Sequence, residues 1–486
     1  MSNFTFLQEL LNAVADQSRN LLPKALFGED PQKGLQELIK ALMSVRGEAS
    51  GVAIAHQLLR HYKLLEPEVR LAFFGYIGEI LKPDPDAVAE AANAYIGAPS
   101  AATLSALQES VDSPIQEFFR RLNMAPGGTA QIVAMREDLL GFMRDAPDRE
   151  DLKTIDHDVG HLLQSWFNRG FLVLRRIDWN TPANILEKII AYEAVHEITG
   201  WDDLRRRLDP ADRRCFAFFH PSLVDEPLIF VQVALTQDIS ADIASVLEME
   251  PRESDTNKPP TTAVFYSISN CQNGLRGISF GNFLIKQVVE ELSREMPSLK
   301  TFVTLSPAPA FAKWIASLAE QTAQTRLDER SRAAVTAIRA GDWIDNPTAS
   351  QALAPSVQAL AAMYYLNERN ARSKPLDPVA RFHLGNGARL ERINWPADLS
   401  ARGHKQAHGL MVNYLYELGE IEKNHEAYAN TGTVAASRAV RGLVKTRVWS
   451  RDTTGSDPAA PADHSEPEHE PAQIAAPSAP TVARTE

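Results

Sequence analysis

The stretch SISNCQNGLRGISFGNFLIKQVVEEL, Ser267 to Leu292, sets Gly274, Gly277 and Gly281 between an apolar run and a helical pattern. A strand, a glycine turn and a helix N-terminus together offer free backbone N–H groups and the positive end of the helix dipole to an anion. The glycines let the backbone approach a bulky pyrophosphate, and Arg276 adds a guanidinium. The spacing G-x-x-G-x-x-x-G fits neither the P-loop nor the dinucleotide fingerprint, so a phosphate cradle and a plain turn remain equal readings of the spacing. In TFVTLSPAPAF, Ser306 is followed by Pro307 and Pro309, which fix φ and supply no donor. That rigid exit suits a serine held in one direction, and equally an ordinary strand end. It is not the G-x-S-x-G elbow of a hydrolase. His383, in ARFHLGNGA, read alone is more often structural than catalytic. The pairs His157/His161 and His404/His408 have i, i+4 spacing, but Asp158 and Lys405 stand where a metalloprotease has glutamate. With no obvious third ligand, a capping, interface or surface role is favoured over metal.

The elements that must position these residues fall into two kinds. Up to about residue 165 the chain reads as helix after helix. PQKGLQELIKALMSV puts Leu35, Leu38, Ile39 and Leu42 on one face, and turn formers such as KPDPD, GAPS, APGG and DAPD punctuate the run. An antiparallel helical bundle is the simplest architecture. From about Phe167 strands appear: GFLVLRRIDW, the pair CFAFFHP and PLIFVQVAL, then TTAVFYSIS, LKTFVTLS, ARLERINW and GLMVNYLYEL. Helices separate them, including one after the glycine turn with Phe283, Leu284, Val288 and Leu292 on its apolar face. Another is predicted over 433–447. The spacing predicts an α+β chain: a helical domain over 1–165, a mixed sheet domain over 166–450, and a disordered acidic Pro/Ala-rich tail over 451–486.

The composition bounds function. The chain has 486 residues, 44% apolar and 23% charged, with a net charge of −12, which argues against a nucleic-acid partner. Cys215 and Cys271 cannot build a disulfide framework or a four-cysteine zinc site, and read as buried thiols. The first residues lack a basic, apolar leader pattern, and no apolar run reaches the roughly 18 residues of a membrane span. The expectation is a cytoplasmic protein without a membrane partner.

Several ordered blocks together resemble the malonyl-CoA decarboxylase family: FYSIS with the glycine turn and FLIK, LSPAPAFAKW, FHLGNGA with RINW, and GLMVNYLYEL, supported by LLQSWFNRGFLVLRRIDW and VALTQDIS. The resemblance covers most of 155–420. It implies an acetyltransferase-like (GNAT) fold for the mixed α/β domain and an oligomerising helical domain, with a homotetramer as the expected assembly. It also implies conversion of malonyl-CoA to acetyl-CoA and CO2 with no cofactor and no metal, because the thioester itself accepts the electrons left by CO2. By position in the blocks, Ser306, His383, Tyr416 and Ser267 are the implied catalytic residues. Gln272, Gly274, Arg276, Gly277, Ser279 and Gly281 are implied to bind coenzyme A. Family members often carry glutamate where this chain has Ser279, and that carboxylate's role does not carry over. The competing readings are an acyltransferase of the same fold, which needs a second cleft and a base for an amine, and a non-catalytic acyl-CoA sensor.

Overall fold

The computed structural model describes residues 31–44, 47–247, 258–278, 284–320 and 327–444. The predicted tail over 451–486, Ser279, Gly281 and Phe283 lie outside the described residues. Two compact units result. One comprises Met1–Val173, Phe219–Glu226 and Gln272–Phe280; the other comprises Leu174–Phe218, Pro227–Cys271 and Gly281–Glu486.

In the first unit, helices run Pro31–Ser44, Glu48–Lys63, Pro67–Ile80, Pro85–Gly97, Ala101–Val111, Pro114–Leu122, Gly128–Asp145 and Glu150–Trp166. Their starts follow from the sequence. Proline stands first at Pro67, Pro85 and Pro114, and Asp84, Ser100 and Ser113 cap free N–H groups. The predicted stripe Leu35, Leu38, Ile39 and Leu42 is buried. It joins a core in which Tyr62, Phe73, Phe74, Phe118 and Phe119 meet mostly edge to face. Helices Pro85–Gly97 and Ala101–Val111 bury no side chain.

The sheet strands are β1 Val173–Ile177, β2 Arg213–Phe219, β3 Pro227–Thr236, β4 Thr262–Asn270, β5 Thr301–Thr304, β6 Ser306–Pro307, β7 Arg389–Asn394 and β8 Met411–Leu415. Their order is β1-β2-β3-β4-β5-β8-β6, with β7 also paired to β8. Every residue of β3 is buried, as its nearly continuous apolar run requires. β3 and β4 are antiparallel, with a register shift at Gln232/Val233. β4 and β5 are parallel, joined through helix Leu284–Glu295, whose Leu284, Val288 and Leu292 are buried as predicted. This α+β order, helices first and then a mixed sheet interleaved with helices, is the one the sequence predicts.

The β4–β5 ladder ends at Phe265 opposite Thr304, while β4 continues to Asn270. Beyond Thr304 the chain shifts to β6, where Ser306 lies opposite Val412 and Pro307 opposite Met411. β8 therefore meets β5 at Leu415, β6 at Val412 and Met411, and β7 along its length. One expectation is corrected: there is no continuous helix from 433. A helix runs Ile421–Thr431 and stops at Gly432, which has φ +67°. The next residues bridge to β7 through the bonds Leu390 N–H to Ala435 O and Ser437 N–H to Leu390 O. A helix resumes only at Arg438–Val444. Strand pairing outweighs the helix propensity of the alanines there.

Candidate active site

Ser306, His383 and Tyr416 meet in one buried line. Ser306 Oγ lies 3.1 Å from His383 Nε2, and His383 Nδ1 lies 2.8 Å from Tyr416 Oη. Each residue is at most 5% exposed. Ser306 is held by the β6–β8 pairing and by the rigid Pro307 that follows it. Tyr416 comes just after β8, where its N–H donates to Phe302 O at 2.8 Å.

His383 sits near the end of helix Pro378–Gly385. Asp377 caps the start of that helix, accepting from Ala380 N–H at 2.9 Å. At the other end Gly387 turns the chain toward β7 with φ +80°, and a Cβ there would stand 2.1 Å from Ile421 O. Only glycine fits both the conformation and the space. The FHLGNGA block is therefore a helix end built to present the histidine.

Burial dominates the electrostatics. It brings the His383 imidazole down to about 3, so the ring is neutral at neutral pH. It also raises the Tyr416 hydroxyl well above its usual range, so the phenol keeps its proton. Tyr414 stacks on the imidazole at 4.6 Å between centroids, which fixes the ring plane. A neutral imidazole between two neutral hydroxyls can donate or accept a hydrogen bond at either nitrogen, but it carries no charge.

Ser267 keeps different company. Its hydroxyl donates to Glu193 at 2.8 Å, and Ser269 Oγ and Gln232 Nε2 donate to the same carboxylate. The backbone N–H groups of Val195 and His196 complete the set. Burial raises the Glu193 carboxyl, and the bonds from His196, Ser267 and Val195 oppose that shift. The cluster ties the 193–196 segment to β3 and β4.

The glycine turn begins at the partly buried Gln272 and contains a short helical turn, Asn273–Leu275. Leu275, Arg276 and Ile278 use their N–H groups inside the turn. Gly274 has a packing reason of its own: a Cβ would lie 1.8 Å from Val133 O on helix Gly128–Asp145. From that helix Arg136 Nη1 donates to the carbonyls of Gly274 and Arg276, each at 2.8 Å. Gly277 has φ +79°. Arg276 is half-buried, and its Nε lacks a hydrogen-bond partner. Burial lowers its guanidinium, Arg144 and Arg136 add to that shift, and Glu137 opposes it.

Among the described residues no group of three or more His, Cys, Asp or Glu is gathered closely enough to hold a metal ion. His157 is exposed, and the His404 and His408 rings stand 5.5 Å apart, with His404 also against Trp343. Cys215 and Cys271 are buried and form no disulfide. No helix among the described residues is long and apolar enough to cross a membrane.

Sequence reasoning missed Thr304, Asn413, Glu193 and Asp377. Only Asp377 left a signal, as an acidic residue directly before Pro378 at a helix start.

A buried serine–histidine–tyrosine line beside a mixed sheet brings together the group types that acid–base chemistry uses. A model described as the malonyl-CoA decarboxylase C-terminal domain matches residues 170–454, and one for the N-terminal domain of that enzyme matches 81–167. The goose (Anser anser anser) mitochondrial malonyl-CoA decarboxylase is 37% identical over 347 residues, covering 67% of this chain and 68% of that protein. The crystal structure of malonyl-CoA decarboxylase from Rhodopseudomonas palustris is 53% identical, with a TM-score of 0.80, covering 85% of this chain and 99% of that one. The Agrobacterium vitis structure is 51% identical, with a TM-score of 0.79, covering 84% and 99%. The chain belongs to the malonyl-CoA decarboxylase family.

Proposed function

We propose that this chain converts malonyl-CoA to acetyl-CoA and CO2. The observation that carries the reading is the buried Ser306–His383–Tyr416 line in a chain of this family. In the reaction the bond between the α-carbon and the carboxylate carbon breaks. Its electron pair moves into the thioester as an enolate, CO2 leaves, and the α-carbon takes a proton. The substrate is its own electron sink. The protein must orient the carboxylate out of the thioester plane, stabilise the enolate oxygen and provide the proton.

In this reading His383 donates a hydrogen bond to the enolate oxygen or delivers the proton to its carbon. Its neutral state favours the first role, because a neutral imidazole N–H stabilises an oxyanion without first giving up a proton. Ser306 orients His383 or the malonyl carboxylate, and Tyr416 holds the far side of the ring. Ser267, its hydroxyl held by Glu193, is a second positioning residue. The loop from Gln272 through Gly274, Arg276, Gly277 and Ser279 to Gly281 holds coenzyme A, and the unpartnered Arg276 Nε supports an anionic ligand there.

We also assign the domains as 1–165, 166–450 and a tail over 451–486, the protein to the cytoplasm and fatty acid metabolism, and the assembly to a homotetramer through the helical domain. Ile96, 75% exposed, and Val111, 50% exposed, on helices that bury no residue support contacts between copies.

The test is formation of CO2 and acetyl-CoA from malonyl-CoA by EDTA-treated protein. Equimolar products are expected, with His383→Ala lowering kcat by about 10²-fold or more. Near-normal turnover by the folded variant sinks the His383 assignment. Binding without turnover favours a sensor, and acetyl transfer to an added amine favours an acyltransferase.

A further inference from the structure

The Ser306 hydroxyl has a second partner. It donates to Thr304 Oγ1 at 2.8 Å, two residues back in the chain. Thr304 is fully buried and fixed at both ends. Its carbonyl accepts from Asn413 Nδ2 at 2.8 Å, and its hydroxyl oxygen accepts from Tyr414 N–H at 3.1 Å. Asn413 is itself held, its Oδ1 accepting from Arg392 Nε and Asn394 Nδ2.

Proton bookkeeping then runs along the line. A serine hydroxyl has one proton. With that proton given to Thr304, Ser306 can only accept from His383 Nε2, so Nε2 carries the ring proton. A neutral imidazole has one N–H, so Nδ1 is the bare nitrogen and takes the Tyr416 proton. The opposite arrangement, with Ser306 donating to Nε2 and Nδ1–H donating to Tyr416, requires the serine proton to leave Thr304.

The geometry points to Thr304 as a positioning residue that, by accepting the Ser306 hydroxyl proton, selects the Nε2–H tautomer of His383. This rests on the roles proposed for Ser306 and His383. It makes His383, rather than Ser306, the donor on the serine side of the ring. The threonine sets which group can offer a proton to an enolate, and it does so without touching substrate.

The test combines steady-state kinetics on malonyl-CoA with the tautomer of His383, read from nitrogen-15 shifts of histidine-labelled protein and assigned by difference against His383→Gln. Thr304→Val keeps the shape and removes the hydroxyl, and Thr304→Ala gives the same readout if valine does not fold. Either variant is expected to move the ring proton to Nδ1 and to lower kcat roughly tenfold, with KM within about twofold. Thr304→Ser is expected to restore both. An unchanged tautomer, a changed tautomer with unchanged kcat, or a serine variant as impaired as the valine one would each overturn the proposal. The tautomer is read independently of turnover. A fully active His383→Gln would therefore refute the catalytic reading separately, while the valine spectrum still decides the hydrogen-bond claim.

Discussion

His383 differs from a free histidine by several pH units, and the cause is desolvation: burial brings it to about 3 from 6.5. Its hydrogen-bond partners Ser306 and Tyr416 are neutral and offer no charge to offset that. The kcat profile at saturating malonyl-CoA should therefore be free of a histidine limb over roughly pH 5.5 to 8. A limb near 6.5 that vanishes in His383→Gln would refute the neutral-imidazole account. The same shift acts on stability. As pH falls below 6.5 the unfolded chain takes up the proton first, so this group's contribution to stability is lost progressively toward pH 3. Tyr416→Phe removes the partner at Nδ1 and should cost about tenfold in kcat with the fold intact, measured by kinetics and circular dichroism. Ser306, His383 and Tyr416 were legible because whole blocks around them carried a resemblance. Thr304 was not, since its meaning is the direction of a neighbour's proton, and a sequence holds no such direction. Glu193 was hidden for a related reason: its partners Ser267 and Ser269 are more than 70 residues away along the chain.

The helix that carries His383 is set by its two ends. Asp377 caps it, and burial raises this carboxyl to about 6 from 3.8 against the pull of several backbone donors. A carboxyl raised in the folded state adds stability that is full below pH 3.8 and lost as pH climbs through about 6. Asp377→Asn keeps a cap acceptor and loses the titration. The difference between its urea midpoint and that of the unsubstituted protein should thus change between pH 4 and pH 7 and level off above. Asp377→Ala loses the cap and should cost about 1 kcal/mol or more at either pH. The periodicity of helices and strands was readable from apolar spacing, as at Leu284, Val288 and Leu292. The break between helices Ile421–Thr431 and Arg438–Val444 was not, because the Leu390–Ala436 bridge is a tertiary contact that overrides local preference.

Across the whole molecule the glycine turn shows a packing demand that its sequence did not reveal. Gly274 was read from sequence as room for an anion, whereas its immediate neighbour is the carbonyl of Val133. Gly274→Ala should push the turn off helix Gly128–Asp145. If the turn holds coenzyme A, KM for malonyl-CoA should rise about tenfold or more while kcat falls less, and equal losses in both would argue against that role. The buried Ser306–His383–Tyr416 line has a further implication, for time rather than geometry. Ser306 and His383 are 77 residues apart, and His383 and Tyr416 are 33 apart. Both spans close only when β8 docks between β5, β6 and β7. Closing such long loops is slow relative to forming helices. After dilution from denaturant, activity should therefore return well after the far-ultraviolet helical signal, making turnover itself a clock for the last strand to arrive.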